Sequence, residues 1–327
     1  MKKISLANLP TPIQKLERLS GDLGCNLYLK RDDYTGTEVS GNKIRKLEYA
    51  IADAIAQGAD TLVTAGAIQS NHCRATAAAA KRCGLGCELV IRGEDPLQIE
   101  GNFFLDYMLG AMVHRLRPEE SREDKMFEIE TRLTSEGKKA YRIPVGASNS
   151  VGSLGYAECF REIRQQELEL GVEFDAIVLS VGSGGTYAGL WYGNEMEQAG
   201  KCIYGISVSD SEAEFKREII RILRGMEGMT VADAYLNENI RINDQYIGRG
   251  YALSTREEIA FLLEVAEREG VIFDPCYTGK AFLGCIEEIR SGALSKFQNI
   301  LFIHTGGLQG WTHEQRLMVL ELMGVGL

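Results

Sequence analysis

Short apolar segments alternate with helical patterns along almost the whole chain of 327 residues. Each apolar segment has the length of one strand, and the stretch that follows it has apolar residues every three or four positions. Such alternation is typical of α/β proteins with parallel strands. We therefore predict an α/β fold of open twisted sheets with flanking helices. The strand candidates are Leu27–Lys30, Thr61–Ala65, Glu88–Arg92, Arg142–Val145, Ala176–Val181, Tyr204–Val208 and Ile300–His304.

Two helices are marked by their ends as well as by their periodicity. Ile44–Gln57 has apolar residues on one face and stops at a glycine, the residue that most readily ends a helix. Thr255 and Glu258 have the spacing of a capping box, and the helix that they predict ends at Gly270. The segment 210–244 is charged and weakly patterned, which predicts surface helix and loops rather than core.

Length and composition limit the class of protein. A chain of this length predicts about two domains, and the net charge of −10 argues against a nucleic-acid surface. No signal peptide and no apolar stretch long enough to span a membrane is recognisable, so we expect a cytoplasmic protein that binds neither membrane nor nucleic acid. The eight cysteines lack metal-ligand spacing, and no metal site is predicted. Seven are interpreted as core residues, whereas Cys276 adjoins a candidate site tyrosine and is left open.

The segment Ser40–Lys46 places Lys43 in a Gly/Asn turn just before a helix. When such a lysine is desolvated or lies next to another cation, its pKa falls and it becomes a nucleophile for carbonyl groups. Arg45 and Lys46 are the neighbouring cations. The alternative is a solvated helix start with scattered basic residues. Gln69–His72 adds a second polar turn, just after a strand.

A glycine-rich turn, Gly182–Thr186, follows another apolar strand. Backbone N–H groups and the start of the next helix favour an anion at such a turn, and Ser183 and Thr186 add hydroxyl donors. A phosphate cradle is preferred over a plain tight turn. The dinucleotide fingerprint fails because Tyr187 stands where its third glycine is needed, and the sequence contains no P-loop string.

Further polar loops occur at the ends of strand-like segments. Asp274–Lys280 and His304–Gly310 are two of them, and Tyr251 lies in another glycine-rich turn. Taken singly, each is interpreted as a turn, but open α/β sheets bind ligands at the carboxyl ends of their strands. A Schiff-base lysine together with a phosphate cradle indicates a cofactor that has an aldehyde and a phosphate. Pyridoxal 5′-phosphate has this chemistry.

Seven motifs in one order carry a resemblance to a known family. The motifs are Leu9–Pro12, Lys30–Asp33, Gly41–Lys43, Gln69–His72, Gly182–Thr186, Asp274–Lys280 and His304–Gly307. On these motifs the chain resembles the D-cysteine desulfhydrase / 1-aminocyclopropane-1-carboxylate deaminase family, within the tryptophan-synthase-β-like (fold type II) pyridoxal-phosphate enzymes. The resemblance covers nearly the whole chain. It implies a large cofactor domain of residues 1–48 plus 151–327, a small domain of residues 49–150 inserted in it, and a homodimer.

The resemblance also implies a role for each matching residue. Lys43 is expected to bind the cofactor aldehyde and then to move the Cα proton of the substrate. The other residues expected to hold the cofactor are Lys46, Asn71, Gly182, Ser183, Gly184, Gly185, Thr186 and Thr278. Those expected to contact the substrate are Ser70, Asn71, His72, Tyr251, Tyr277, Gly307 and Leu308. Of these, Ser70, Tyr251 and Tyr277 are expected to act in catalysis together with Lys43.

Thr278 bears on the choice of reaction. The resemblance places it opposite the pyridine nitrogen of the cofactor, where a carboxylate would keep the ring protonated, as ring-opening deaminases need. A neutral hydroxyl suits elimination of a β-leaving group, because the charge departs with the leaving atom. We therefore predict α,β-elimination, with D-cysteine as the first-choice substrate and pyruvate, ammonia and hydrogen sulfide as the products.

Several alternatives stay open. An L-cysteate sulfo-lyase, or a lyase for another β-substituted amino acid, needs the same machinery with a different leaving-group pocket. A 1-aminocyclopropane-1-carboxylate deaminase is disfavoured by Thr278, and a non-catalytic pyridoxal-phosphate-binding protein would need neither Lys43 nor Ser70. The chain departs from the family pattern at Cys276 and at Leu308–Gly310, so the resemblance does not define the shape of the substrate pocket.

Overall fold

The computed structural model describes residues 2–93, 99–250 and 252–325. The strands are β1 Ile13–Lys15, β2 Asn26–Lys30, β3 Thr61–Ala67, β4 Gly86–Arg92, β5 Met112–Leu116, β6 Ala140–Arg142, β7 Ala176–Val181, β8 Cys202–Ser207, β9 Arg241–Asn243 and β10 Asn299–Ile303. The helices are α1 Glu17–Leu23, α2 Lys43–Ala56, α3 Asn71–Arg82, α4 Gly101–Met108, α5 Arg122–Ser135, α6 Ser150–Leu170, α7 Gly185–Met196, α8 Glu212–Arg224, α9 Asp233–Asn239, α10 Arg256–Glu269, α11 Thr278–Ser291 and α12 His313–Leu322. Among these described helices, none has the length and apolar character that crossing a lipid bilayer requires.

The strands form two separate sheets. The large sheet has the order β1-β2-β10-β7-β8-β9, and all its pairs are parallel except β1 with β2. The small sheet has the order β5-β4-β3-β6 and is parallel throughout. Strands β3 and β7 are buried along nearly their whole length, as expected for parallel strands with helices on both faces. The predicted α/β fold is confirmed.

The chain passes between the two sheets twice. Helix α2 follows the second strand of the large sheet and leads to the small sheet, and α6 leads back. The four strands of the small sheet lie between residues 61 and 142. The domain division at residues 48/49 and 150/151 stays a prediction; it falls inside α2 and next to the first residue of α6.

The strand predicted over Arg142–Val145 is wrong beyond its first residue. Strand β6 ends at Arg142, and Pro144 has no N–H to donate to a neighbouring strand. A short 3₁₀ turn follows, in which Gly146 has a left-handed conformation with φ +68°. The segment therefore bends into α6 instead of extending the small sheet.

The prediction of surface helix and loops for 210–244 is wrong in part, because this segment contributes to the core. Helix α8 buries Phe215, Ile219 and Leu223 in the same apolar cluster as the side chains of β7. Strand β9 pairs with β8 at the edge of the large sheet. The buried residues of α8, which are Phe215, Ile219, Ile222 and Leu223, have the spacing of one helix face, so the sequence did carry this signal.

Both predicted helices are confirmed. The helix predicted over Ile44–Gln57 is α2, which begins one residue earlier, at Lys43. At the start of α10 the Thr255 hydroxyl accepts the N–H of Glu258 at 3.2 Å, and the Glu258 carboxylate accepts the N–H of Thr255 at 2.8 Å. Gly270 ends this helix with φ +68°. The reciprocal pair satisfies two N–H groups that the start of a helix leaves open.

The eight cysteines are all free thiols. Of the seven interpreted as core residues, Cys25, Cys73, Cys87, Cys159 and Cys285 are buried, and Cys83 and Cys202 are half-buried. Burial raises the pKa of each of the five buried thiols. They therefore stay protonated, which is the unreactive form of a thiol.

A buried network of charges fastens α2 to the large sheet. Arg45 donates to both carboxylate oxygens of Asp32 at 2.8 and 2.9 Å and to Glu162 on α6 at 2.9 and 3.0 Å. Lys30 at the end of β2 donates to the same Glu162, and the Tyr156 hydroxyl donates to Asp32. The side chains of Arg45 and Asp32 are 2% and 0% exposed. Opposite charges thus compensate one another where water cannot.

The backbones of α2 and α6 also approach each other closely. A Cβ atom at Gly155 on α6 would lie 2.2 Å from the carbonyl oxygen of Arg45, so only glycine allows this approach. A similar contact joins α6 to α7, where a Cβ atom at Gly189 would lie 2.2 Å from the carbonyl oxygen of Ser153. These contacts set the position of α2, and Lys43 lies at its N-terminus.

Replacing Arg45 with methionine is expected to lower the free energy of unfolding by about 3–5 kcal/mol, because Asp32 would remain buried without its partner. The matched control is Arg290→Met, which removes an exposed pair with Glu287 that is worth about 1 kcal/mol or less. Urea denaturation of both variants measures the difference. Equal stability of the two variants would contradict the anchoring role of the network.

Candidate active site

A cavity of about 340 Å³ lies between the two sheets. It is found at the carboxyl ends of β3, β7 and β10, the edge at which open α/β sheets place ligands. The predicted site residues in its wall are Lys43, Ser70, Asn71, His72, Gly182, Ser183, Gly184, Thr186 and Tyr277. Motifs that are far apart in the chain therefore meet at one site.

Lys43 is the first residue of α2 and lies in the cavity wall. Its Nζ donates to Asn42 Oδ1 at 3.0 Å and lies 6.0 Å from the centre of the Tyr277 ring. Burial lowers the pKa of Lys43 to about 8, although the electrostatic interactions of its amine with Asp274 and Cys276 oppose the shift. The neutral amine is thus well populated near this pH, which makes Lys43 a nucleophile.

Of the two causes predicted for this pKa shift, desolvation is confirmed and a neighbouring cation is not. Arg45 is paired with Asp32 and Glu162, so its positive charge is compensated before it can act on the amine. Desolvation is the main cause instead. Burial, and after it the charge of Lys43, lowers the pKa of Lys46 well below its ordinary range. Both lysines therefore owe their perturbation first to the loss of water.

The glycine turn after β7 has the form of an anion cradle. Gly184 has φ +76° just before α7, a helix of 12 residues, and a helix N-terminus offers N–H groups and a partial positive charge. A Cβ atom at Gly185 would lie 2.6 Å from the Ser148 hydroxyl, so glycine is required there. The Ser183 hydroxyl lies 2.8 Å from the same hydroxyl of Ser148. This turn fits a phosphate group.

Asn42 joins the lysine to the cradle. Its Oδ1 accepts from Lys43, and its Nδ2 donates to Thr186 Oγ1 at 3.1 Å. A hydroxyl that accepts one hydrogen bond can still donate its own hydrogen. Thr186 can therefore donate to an anion bound at the turn.

Lys46 reaches the cradle through Ser148. Its buried Nζ donates to the Ser148 hydroxyl at 3.1 Å, and that hydroxyl is bonded to Ser183. Lys46 is outside the wall of the cavity, so its direct contact with a phosphate stays a prediction. No motif indicated Ser148, which lies 102 residues from Lys46 along the chain.

The second polar turn caps helix α3. Ser70 Oγ accepts the N–H of Cys73 at 3.2 Å, and both Ser70 and Asn71 lie in the cavity wall. The Oδ1 of Asn71 accepts from Asn102 at 2.9 Å and from Arg74 at 3.5 Å. The hydrogen-bond network thus assigns the oxygen of this amide to the protein, and its NH₂ group is the end that can bind a ligand.

Arg74 connects this turn to the segment before the lysine. Its buried guanidinium donates to the carbonyl oxygens of Glu38 and Ser40 and to Asn102 Oδ1. Asn102 in turn donates its N–H to Gln69 Oε1 at 2.9 Å. Neither Arg74 nor Asn102 was predicted as a site residue. Arg74 lies two residues after the predicted turn Gln69–His72, so its position along the chain could have indicated it. Asn102 lies in another helix, and no motif includes it.

His72 offers the site an acceptor rather than a positive charge. Its Nε2 is 2.8 Å from Thr64 Oγ1, and the Thr64 hydroxyl donates to the carbonyl oxygen of Ile143. Nε2 must therefore carry the proton. The buried Nδ1 has no hydrogen-bond partner in the described part of the chain. Burial, and after it the charges of Lys43 and Lys46, lowers the pKa of His72 well below its ordinary value.

Asp274 organises the turn that carries Tyr277. Its carboxylate accepts the N–H groups of Cys276, Tyr277 and Thr278 and also the Thr278 hydroxyl. Tyr277 packs against Gly182, where a Cβ atom would lie 3.2 Å from its ring. Thr278 is fully buried and is outside the cavity wall. Its hydroxyl donates to Asp274 and does not line the cavity. The expected position of Thr278 opposite a cofactor ring therefore stays a prediction.

Two wall hydroxyls were missed as site residues. Ser180 and Thr305 lie at the carboxyl ends of β7 and β10, and their Oγ atoms are 3.5 Å apart. Thr305 belongs to the predicted loop His304–Gly310, and a residue just after a buried strand lies at the ligand edge of the sheet. The position of Thr305 just after a predicted strand was therefore a signal for a site residue. The resemblance to the family used the glycines of this loop instead.

The contact of Gly307 and Leu308 with the substrate stays a prediction. Gly307 has φ +110° and packs against Asp274, where a Cβ atom would lie 2.6 Å away. The chain turns outward at this glycine, and Leu308 is 57% exposed on a 3₁₀ turn. Leu308 lines an apolar surface groove together with Phe104 and Ile272. Both residues are outside the wall of the active-site cavity.

Cys276 lies beside the site rather than in the core. It is half-buried and lines a second cavity of about 890 Å³. This cavity shares Asn71 and Tyr277 with the first one. The thiol is therefore placed next to the expected substrate position.

Tyr251 lies outside the described residues, so its role stays a prediction. The turn before it is anchored by Lys280, whose Nζ donates to the carbonyl oxygens of Ile247 and Gly250 at 2.8 and 2.7 Å. Lys280, the last residue of the predicted loop Asp274–Lys280, thus has a structural role.

The wall combines an amine of lowered pKa with an anion cradle. An aldehyde could be bound covalently by Lys43, and a phosphate on the same molecule could be held by Gly182–Thr186. The NH₂ group of Asn71 adds a donor for a ring oxygen. This donor set fits pyridoxal 5′-phosphate.

Comparison with known proteins confirms the cofactor. The family model described as pyridoxal-phosphate dependent enzyme matches residues 4–306. A bifunctional D-cysteine desulfhydrase/1-aminocyclopropane-1-carboxylate deaminase, mitochondrial, of Arabidopsis thaliana is 42% identical over 320 residues, which cover 94% of this chain and 78% of that protein. A D-cysteine desulfhydrase of Serratia proteamaculans is 38% identical over 310 residues, which cover 93% of this chain and 93% of that protein.

Solved structures confirm the fold type. The crystal structure of an ACC deaminase homologue superposes with a TM-score of 0.86 at 37% identity and covers 97% of this chain and 95% of that chain. A threonine deaminase from Solanum lycopersicum shares the fold at 21% identity, with a TM-score of 0.68 and coverage of 98% and 85%. The chain therefore belongs to the pyridoxal-phosphate dependent enzymes, and within them to the group of D-cysteine desulfhydrases and 1-aminocyclopropane-1-carboxylate deaminases.

Proposed function

We propose that this lyase catalyses α,β-elimination from a small β-substituted amino acid, with D-cysteine as the first substrate and pyruvate, ammonia and hydrogen sulfide as products. The proposal rests on the lack of a buried carboxylate among the wall residues that the structure describes. The polar side chains of the wall include the hydroxyls of Ser180 and Thr305, and the one carboxylate among the described wall residues, Asp210, is exposed. A neutral neighbour does not stabilise a protonated pyridine ring, which ring-opening deamination needs. Elimination depends less on a protonated ring, because the negative charge departs with the leaving group.

The chain's own residues divide the work of holding the cofactor. When bound, pyridoxal phosphate supplies an aldehyde for the amino group of the substrate and an electron-withdrawing ring that makes the Cα proton acidic. Gly182–Thr186 would hold the phosphate, with Ser148 and Lys46 behind the turn. The NH₂ group of Asn71 would donate to the ring oxygen.

Lys43 is the base of the proposed reaction. Its Nζ, partly neutral near pH 8, takes the proton from the substrate Cα. The Ser70 hydroxyl and the N–H groups at the start of α3 bind the substrate carboxylate. Tyr277, whose ring centre lies 6.0 Å from Nζ, forms the wall beside the leaving group. The β-substituent leaves with its bonding electrons, and released 2-aminoacrylate hydrolyses to pyruvate and ammonia.

A second candidate function is 1-aminocyclopropane-1-carboxylate deamination. The Arabidopsis relative is named for both activities, and the crystal structure at 37% identity is that of an ACC deaminase homologue. An L-cysteate sulfo-lyase would use the same residues with another leaving group. A non-catalytic binding protein is the least supported alternative, because it has no use for a base at Lys43.

We also propose a homodimer and a cytoplasmic location. Apolar side chains are exposed around one surface groove, including Phe104, Ile272 and Leu308 at 47, 53 and 57% exposure. Exposed apolar patches mark interaction surfaces, which supports the dimer. The location rests on the sequence patterns alone.

Product analysis with several substrates tests the proposed reaction. The purified, cofactor-loaded enzyme is given D-cysteine, L-cysteine, L-cysteate, D-serine and 1-aminocyclopropane-1-carboxylate in parallel. Pyruvate with sulfide is expected from D-cysteine, and Lys43→Ala is expected to be slower by about 10²–10⁴-fold because it lacks the base. Formation of 2-oxobutyrate from the cyclopropane substrate alone would move the protein to the second candidate function.

Attachment of pyridoxal phosphate to the apoprotein is expected to accelerate with pH, with a midpoint of about 8 set by the lowered pKa of Lys43. The neutral amine is the reactive form, and its share rises as the pH passes this pKa; an ordinary lysine would need a pH of about 10.4. Stopped-flow absorbance over a pH series measures the rate, and Lys43→Ala should lack this phase. A midpoint at the ordinary lysine value would show that burial does not tune the amine.

Replacing Asn102 with alanine is expected to weaken cofactor binding about tenfold, because Asn71 loses a hydrogen bond that orients its amide. The control is Asn243→Ala, which removes a half-buried asparagine that donates to Tyr204 and Glu288 away from the cavity. Absorbance titration of each apoprotein with pyridoxal phosphate gives the dissociation constants. Unchanged affinity in the Asn102 variant would sink the orienting role.

A further inference from the structure

Arg122 is a cation in the active-site cavity that the proposed reaction does not yet use. It is the first residue of α5, and it lies in the same wall as Lys43 and Ser70. Its Nε is buried and has no hydrogen-bond partner among the residues that the structure describes. A buried N–H of a charged group is costly to leave without a partner. A bound anion would supply that partner.

Helix stability does not account for the position of Arg122. The macrodipole makes positive charge unfavourable in the first turn of a helix and favours acids there. Helix α5 already has Glu123 and Asp124 in this turn, and Ser121 caps it by accepting the N–H of Asp124 at 3.3 Å. The cap and the two acids complete the helix start without a contribution from Arg122.

Arg122 lies near the turn that is expected to bind the substrate. Burial raises the pKa of Cys73 well above its ordinary value, and the positive charge of Arg122 acts against that rise. Cys73 donates its N–H to Ser70, and a Cβ atom at Gly66 would lie 2.6 Å from the Cys73 sulfur and 2.5 Å from the Ser70 hydroxyl. Gly66, Ser70 and Arg122 share the cavity wall. The guanidinium is therefore close to the substrate turn.

The other anions of the site already have binding groups in the proposed function. Gly182–Thr186 is assigned to the cofactor phosphate, and Ser70 with the start of α3 is assigned to the substrate carboxylate. We propose that Arg122 binds a negative charge on the β-substituent of the substrate. The inference rests on the proposed elimination, and it names amino acids with an acidic β-substituent, such as a sulfonate, as a substrate class. A guanidinium suits such a group because it can donate two parallel hydrogen bonds.

Cysteate is the simplest substrate of this class. Lys43 takes its Cα proton, and the Cβ–S bond breaks with both electrons going to sulfur. Sulfite leaves while Arg122 compensates its negative charge, and 2-aminoacrylate hydrolyses to pyruvate and ammonia. The reaction consumes one water and needs no oxidant or reductant.

Arg122→Gln tests this role with two probes that differ in charge at the same carbon. Cysteate carries a sulfonate and β-chloroalanine carries a neutral substituent, and both enantiomers of each are assayed for pyruvate. The variant is expected to lose about 100-fold in kcat/KM for cysteate, the effect of one charge-assisted contact, and to change little for β-chloroalanine. Arg122→Lys keeps the charge but not the bidentate geometry. Its kcat/KM for cysteate is expected to lie between those of the unaltered enzyme and of Arg122→Gln.

Equilibrium binding gives a readout that does not depend on turnover. Aspartate has a carboxylate on the same carbon and no leaving group there, and alanine is its neutral counterpart. Each is titrated into the holoenzyme while the absorbance of the cofactor is followed. Arg122→Gln is expected to weaken the binding of aspartate and to leave the binding of alanine unchanged. Arg117→Gln, at an arginine that is 72% exposed, is the control and should alter neither.

The outcomes separate this inference from the proposed function. Equal losses for charged and neutral probes would overturn it, because Arg122 would then hold the α-carboxylate or pair with Asp210 across the cavity. If the unaltered enzyme releases pyruvate from β-chloroalanine but neither converts cysteate nor binds aspartate, the role of Arg122 fails alone. If β-chloroalanine is not converted, the elimination reaction itself fails.

Discussion

The guanidinium of Arg45, placed between two carboxylates, is the contact on which the geometry of the site depends. Asp32 and Glu162 belong to different elements, and one buried guanidinium reaches both of them. Because an unpaired charge is so costly in the interior, α2 has one strongly preferred position. Lys43 and Lys46 lie on either side of Arg45 along this helix, so the same contact positions the reactive amine and the cation behind the cradle.

Loss of water explains the chemistry of the cavity better than neighbouring charge does. Burial is the leading cause of the lowered pKa of Lys43, of Lys46 and of His72. The site therefore carries less positive charge than a count of its basic residues indicates. Arg122 differs from these groups, because its planar guanidinium presents several N–H donors in a fixed geometry that matches an anionic group. It is the kind of side chain that can still discriminate ligands by charge after water has been excluded.

Much of the fold and the location of the site could be predicted because the signals are local. A short apolar strand, a capping box or a glycine turn is encoded by a few adjacent residues. The carboxyl ends of the parallel strands then bring Lys43, Ser70 and Gly184 together. Partners that come from distant segments had no such signal. Ser148 and Asn102 are ordinary polar residues in the sequence, and only the packing of two sheets brings them to the motifs. Thus the loops were predictable, whereas the groups that orient them were not.

The close contact at Gly155 has a consequence for how such an enzyme diversifies. It positions the amine from the side of α6, through backbone atoms that lie outside the cavity wall. The wall residues Ser70, Asn71 and Arg122 come from the chain segments around the small sheet instead. Inherited changes in those segments can alter what is bound while the amine keeps its place. Descendants of one ancestor could therefore acquire different substrates without rebuilding the part of the protein that performs the first chemical step.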